Sequence, residues 1–130
     1  MALFEDAPDI REISKRIVAQ VEDVSHVDLT EVLFLRELET SPPALAACYN
    51  LQTHPIGFFS PAKYAIVLYW MRCDYMTVNQ LILLIYHEML HIPALGKKLV
   101  DHDVQDFRKV LGIDLDWAQP GREVPLLLVA

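Results

Sequence analysis

Residues 81–93 read L-I-L-L-I-Y-H-E-M-L-H-I-P and contain the pattern H-E-x-x-H at His87, Glu88 and His91. On a helix, histidines four residues apart project from one face about one turn apart. This spacing suits a zinc ion, because one backbone then fixes two imidazole nitrogens. Glu88 is rotated about 100° from His87 around the helix. It can therefore lie beside the metal and act as the base that accepts a proton from an attacking water.

Independent signals predict that this stretch is a helix. Thr77 and Gln80 have the spacing of a capping box at its start. Residues 78–90 are apolar on nearly all sides, which indicates a helix surrounded by protein, and Pro93 disfavours helix at Ile92 and so ends it there. The three motif residues are strongly polar, and burying them without partners costs several kcal/mol. A bound metal ion would satisfy them.

A third ligand is expected from the segment Asp101-His102-Asp103. Catalytic zinc sites usually have three protein ligands and leave one position to water, and His102 is the nearest residue that can complete the set. The neighbouring aspartates could orient its ring, or one of them could replace it as the ligand. On a regular helix His102 would point away from the apolar stripe that follows, toward solvent. The residues alone leave this choice open.

Composition predicts one globular domain over residues 1–130, since 53% of the residues are hydrophobic and 22% are charged. The net charge of −7 argues against nucleic-acid binding, which needs clustered Lys and Arg. The acidic N-terminus lacks the pattern of a signal peptide, and the apolar runs fall short of the roughly 20 residues that cross a bilayer. We therefore expect a cytoplasmic protein with no membrane partner. Cys48 and Cys73 are expected to be buried thiols.

The remaining elements follow from periodicity and turn residues. The sequence predicts a first helix from Ile10 to about Val24 with Asp9 as its cap, and a strand within 30–38. Residues 44–51 fit either a helix or a strand. Further along we expect a loop at 54–61, a strong strand at 63–71, a turn at 72–76, and a helix carrying Val104, Phe107 and Leu111 that ends at Gly112.

The strand at 63–71 leads directly into the metal helix, so we expect a sheet edge beside the metal that can bind an extended peptide by strand addition. Tyr64, Tyr69 and Tyr75 are candidate donors to a developing oxyanion, although core packing is the favoured role for each. The apolar segment 124–130 is expected to dock on its own domain or on a second copy, which would give a homo-oligomer.

The segments Y-H-E-M-L-H-I-P at 86–93 and D-H-D-V-Q-D-F at 101–107 resemble the phage metallopeptidase family, small zincin-like proteins of phages and prophages. The resemblance implies an α+β minimal zincin-like domain: a small sheet packed on an N-terminal helix and a buried active-site helix. It also implies that His87, His91 and His102 bind the metal and that Glu88 is catalytic.

Two functions are compatible with these features. The first is a zinc metallopeptidase, a hydrolase of peptide or protein substrates with Glu88 as general base. The second is a non-catalytic, zinc-stabilised binding or assembly module. Structural zinc sites normally use four protein ligands, often cysteines, and Glu88 would have no purpose in one. The sequence therefore favours the peptidase.

Overall fold

Strands and helices are mixed along the chain, as the sequence predicts for an α+β fold. The computed structural model describes residues 3–52, 62–96, 98–101, 108–111, 113 and 116–128. The elements follow in the order β1 (Phe4–Asp6), α1 (Pro8–Gln20), β2 (Val32–Glu37), β3 (Ala46–Asn50), β4 (Tyr64–Tyr69), α2 (Trp70–Cys73), α3 (Val78–Met89) and α4 (Arg108–Leu111), with short 3-10 helices at Glu22–Val24 and Leu29–Glu31.

The strands that the structure describes form one mixed sheet in the order β1-β2-β4-β3. The central strands β2 and β4 are parallel, while β1 and β3 pair antiparallel on the outside. One face of the sheet contributes Phe34 and Ile66 to the main core, where they pack with Ile10 of α1 and Leu83 of α3. All four side chains are fully buried, and each contributes about 1.5–3 kcal/mol relative to exposure.

The first helix differs at both ends from the prediction of 10–24. It begins at Pro8, whose ring presets the helical φ, and its N-cap Ala7 makes no side-chain bond. Asp9 is therefore not the cap. Its carboxylate instead pairs with the guanidinium of Arg36 on β2. The helix ends at Gln20, because Val21 is extended with φ −111° and ψ 111°, and the chain continues into the separate 3-10 helix.

The strand predictions are confirmed in position but not in every boundary. β2 lies within the predicted 30–38, and residues 44–51, which fitted two interpretations, contain the strand β3. The predicted strand 63–71 is too long, since β4 ends at Tyr69 and the next four residues form α2. β1 was not predicted. It is only three residues long and exposed throughout, so it carries no apolar periodicity.

Helix α3 confirms the central prediction. Thr77 Oγ1 accepts a hydrogen bond from the Gln80 backbone N–H, and Gln80 Oε1 accepts one from the Thr77 backbone N–H. This is the predicted capping box. From Gln80 to Tyr86 every side chain is buried. Among the described residues, no helix has both the length and the apolarity needed to cross a membrane.

The C-terminal segment packs on its own chain. Val124 and Leu128 lie in the main core, whereas Leu126 between them is 51% exposed. This agrees with docking on the same domain, and a contact with a second copy stays a prediction. The predicted helix after residue 103 is described only from Arg108 onward, as α4. Its predicted start, the glycine at its end and the predicted loop at 54–61 lie outside the described residues.

Candidate functional site

The motif lies at the C-terminal end of α3. His87 and Glu88 are in its last turn, and the helix ends at Met89, short of the predicted end at Ile92. The chain then tightens into a 3-10 turn, since the His91 N–H donates to the Glu88 carbonyl at 3.2 Å and the Ile92 N–H to the Met89 carbonyl at 3.0 Å. The histidines still meet as predicted. Their ring centroids lie 5.6 Å apart with an angle of 65° between the planes.

A backbone carbonyl fixes the ring of His91. Its Nδ1 lies 2.6 Å from the carbonyl oxygen of Val100. A carbonyl can only accept, so Nδ1 must carry the proton, and in the neutral ring the lone pair is then on Nε2. The Val100 N–H donates in turn to the His91 carbonyl at 2.7 Å. Metal-binding histidines are commonly oriented by such a bond, which leaves the other nitrogen as the ligand atom.

Glu88 is buried, with 4% of its surface exposed, and its Oε1 lies 3.8 Å from Nε2 of His87. The Nδ1 atom of His87 is also buried. These positions bring one carboxylate and two imidazoles together at the end of one helix. The two imidazole rings are of the donor type that zinc prefers.

A cavity of about 370 Å³ opens in front of the motif. Glu88 and both histidines line it on one side. Leu84 and Trp117 form apolar parts of its wall, and residues 44–48 of the β3 segment line the opposite side. The volume is at the lower end of the range of about 300–1,000 Å³ for ligand sites.

Cys48 is the residue at this site that sequence reasoning did not identify. It lines the same cavity as the motif residues. Burial, and secondarily the negative charge of Glu88, raises the pKa of its thiol to about 12. The thiol is therefore uncharged at neutral pH. Cys48 and Cys73 are both free thiols, as predicted; Cys73 is buried, whereas Cys48 is only partly buried. No local signal could have placed Cys48 here, because it lies 40 residues from Glu88 in the chain.

The strand beside the motif is β3, not the strand that leads into α3. β4 pairs with a neighbour on each side, so the predicted sheet edge at 63–71 is wrong. β3 is one of the two outer strands of the sheet that the structure describes. Long-range pairing decides which strand is outermost, and the order of elements along the chain does not reveal it.

The register of β3 shows which backbone groups face outward. The Tyr69 N–H donates to the Leu45 carbonyl at 3.0 Å and the Leu51 N–H to the Lys63 carbonyl at 2.8 Å. In an antiparallel ladder the inward-bonded residues alternate, so Ala47 and Tyr49 bond to β4. The N–H and C=O groups of Ala46 and Cys48 therefore point away from the sheet, along the cavity.

The predicted tyrosine donors have other hydroxyl contacts. The hydroxyl of Tyr69 bonds to that of Tyr49, Tyr75 donates to the Ala118 carbonyl, and Tyr64 accepts from the Gln52 amide at 3.3 Å. None of the three is among the described residues that line the cavity at Glu88. These contacts agree with the favoured packing role.

The third ligand is not described. His102 and Asp103 lie outside the described residues, and Asp101 is exposed. Within the part of the chain that the structure describes, no group of three or more His, Cys, Asp or Glu side chains could hold a metal ion. Of the expected ligands, the structure therefore describes His87 and His91 side by side, and His102 lies outside the described residues.

A second cavity, of about 230 Å³, lies away from the motif residues. Its polar lining includes the ion pair between Lys63 and Glu31, at 3.2 Å, and His26. His26 is exposed, and its Nε2 donates to the Ile92 carbonyl at 2.8 Å. This histidine therefore contacts the residue that follows the motif but does not line the motif cavity.

The fold and site together define a small α+β protein with an H-E-x-x-H segment beside a sheet edge. Residues 2–119 match the family model described as "Putative phage metallopeptidase", and the chain belongs to this family. The family resemblance is thereby confirmed, and the family name implies a peptidase that uses a metal ion. No curated protein and no solved structure matched the chain.

Proposed function

We propose that this protein is a zinc-dependent peptidase whose ion is held by His87, His91 and His102. One observation carries the proposal: Glu88 and the two motif histidines line one cavity together with the outward-facing edge of β3. A purely structural metal site has no need of a cavity, nor of a buried carboxylate beside the ligands. Family membership supports the same reaction class.

In this mechanism Glu88 moves the proton. When bound, a zinc ion supplies a Lewis acid that lowers the pKa of a coordinated water toward about 7. A carboxylate oxygen of Glu88 would accept the proton that the attacking water loses. The same oxygen then delivers the proton to the leaving amine. Burial of Glu88 keeps bulk water away from this transfer.

The third ligand that we propose, His102, is supported by the position of Val100. Val100 bonds to His91 through both its N–H and its carbonyl. His102 follows Val100 by two residues in the sequence, so the described chain contacts His91 shortly before the proposed ligand. Asp101 and Asp103 are the alternative donors.

The substrate that we propose is an extended peptide bound along β3. Ala46 and Cys48 direct their backbone donors and acceptors away from β4, and a peptide strand can bond to them by strand addition. Such a strand would run past Glu88, because β3 and Glu88 line the same cavity.

The decisive variant is Glu88→Gln, assayed on a broad peptide library with stoichiometric zinc. General bases contribute roughly 10²–10⁴-fold to the rate, so we expect cleavage to fall by at least about 100-fold. Zinc content and the circular dichroism spectrum should stay unchanged. Cleavage by Glu88→Gln at the wild-type rate would refute the proposed role. If the protein were only a zinc-stabilised module, neither the wild type nor Glu88→Gln would cleave the peptides, and the His87→Ala variant would unfold.

Zinc content tests the ligand set separately. We expect one zinc per chain in protein purified without chelators, and its loss in His87→Ala, His91→Ala and His102→Ala. His26→Ala is the matched control, because this exposed histidine does not line the motif cavity. This variant should leave the zinc content unchanged. Full zinc content in His102→Ala, with loss in Asp101→Ala or Asp103→Ala, would move the third ligand to an aspartate.

A further inference from the structure

The wall of the motif cavity is mainly apolar, and alanines predominate on the strand side. That side is lined by Ala44, Leu45, Ala46, Ala47 and Cys48, and Leu84 and Trp117 are the other apolar lining residues. Glu88 is the one carboxylate among the described lining residues. A methyl-lined space beside a buried carboxylate favours an apolar guest and disfavours an anionic one.

The strand register decides which part of a peptide reaches this space. Ala46 belongs to the main core and Cys48 packs against it, so both side chains lie on the α3 side of β3. Successive side chains of a strand point to opposite faces. A peptide bonded to this edge would therefore direct every second side chain toward α3, over the cavity.

From this geometry we propose that the cavity selects peptides by one apolar side chain next to the bond cleaved, with Ala44 as a specificity-determining residue. The inference rests on the proposed peptidase function and names its substrate class. Ala44 is exposed and lies two residues before the start of β3, so a larger side chain there would reduce the space without disturbing the core.

The first experiment measures kcat/KM of the zinc-loaded protein on peptides that differ at one position beside the cleaved bond. We expect leucine and phenylalanine to exceed aspartate by at least about 100-fold, because hydrophobic pockets discriminate by roughly 10–200-fold per methylene. Ala44→Phe should lower kcat/KM for leucine and phenylalanine peptides at least about 10-fold and leave an alanine peptide unchanged. Ala19→Phe, a change at an exposed alanine of α1, is the matched control and should change none of them. Equal rates for leucine and aspartate would overturn the inference while leaving the peptidase intact.

A binding measurement keeps the inference testable without turnover. Fluorescein-labelled peptides with a central leucine or a central aspartate, in an otherwise Gly/Ser frame, are titrated with zinc-loaded Glu88→Gln and followed by anisotropy. At least about 10-fold tighter binding of the leucine peptide, weakened by Ala44→Phe, supports the apolar pocket. If the wild type cleaved nothing, this result would refute the peptidase and retain the pocket. Equal affinity for the two peptides would overturn the pocket.

Discussion

Replacement of Gln80 should lower the stability of the protein. The Gln80 side chain is completely buried and makes three hydrogen bonds to backbone groups. Oε1 accepts from the Thr77 N–H at 2.9 Å, and Nε2 donates to the carbonyls of Trp117 at 3.1 Å and Gln119 at 2.7 Å. One amide therefore joins the first turn of α3 to the C-terminal segment that carries Trp117 into the cavity.

The cost of Gln80→Met follows from these bonds. Methionine has a similar length but offers no amide. The bonds to Thr77, Trp117 and Gln119 contribute about 1 kcal/mol each. We expect the free energy of unfolding to fall by about 3 kcal/mol, a large part of the roughly 5–15 kcal/mol of a typical domain.

The assay is urea unfolding followed by circular dichroism, with Thr77→Ala as the control. Thr77→Ala removes the other half of the capping box, leaves the bonds to the C-terminal segment, and should cost about 1 kcal/mol. The slope of unfolding free energy against urea should not change. If Gln80→Met lost no more stability than Thr77→Ala, the bonds to Trp117 and Gln119 would contribute nothing, and the reasoning would be refuted.

Two further predictions concern contacts between distant elements. Tyr86→Phe removes the hydroxyl that donates to Asp23 at 3.1 Å and should lower the free energy of unfolding by about 1 kcal/mol in the same urea assay. If the free energy of unfolding did not fall, this hydrogen bond would be no stronger than the bonds that the two groups make to water in the unfolded chain. The hydrogen bond from Arg36 lowers the pKa of Asp9 below its ordinary 3.8, so its stabilisation is present above that pH and lost as pH falls through the lower, folded value. Wild-type protein should therefore lose its advantage over Asp9→Asn, about 0.5 kcal/mol for a pair whose carboxylate is exposed, as pH falls below about 4 in thermal unfolding scans. An advantage that persisted at acid pH would contradict the assignment.

Much of the motif helix could be predicted because its signals are local. The capping box at Thr77 and Gln80, the apolar run and the four-residue histidine spacing all act within one or two turns of chain. Local preference also identified β2 and β4, which are rich in β-branched and aromatic residues. Only the end of the helix was misjudged, because Pro93 restricts the residue before it but does not specify which earlier residue leaves the helix.

The surroundings of the motif required the tertiary structure. The residues A-A-C-Y-N of β3 carry no strong preference, and their pairing with β4 makes them a strand and places them at the sheet edge. The carbonyl that orients His91 comes from Val100, in an irregular segment with no periodicity to predict its path. The prediction for the start of the first helix was wrong because Asp9 bonds to Arg36, 27 residues away, and does not cap the helix.

The sequence by itself determined which chemistry this protein carries: two imidazoles and a carboxylate on a buried, capped helix. The tertiary structure decided what lies opposite that chemistry, namely the outward edge of β3, Cys48 and Trp117. The physical reason is the range of the forces involved. Helix capping and periodicity act over a few residues, whereas strand order and the walls of a cavity arise from contacts between segments far apart in the chain, which only the packed core selects.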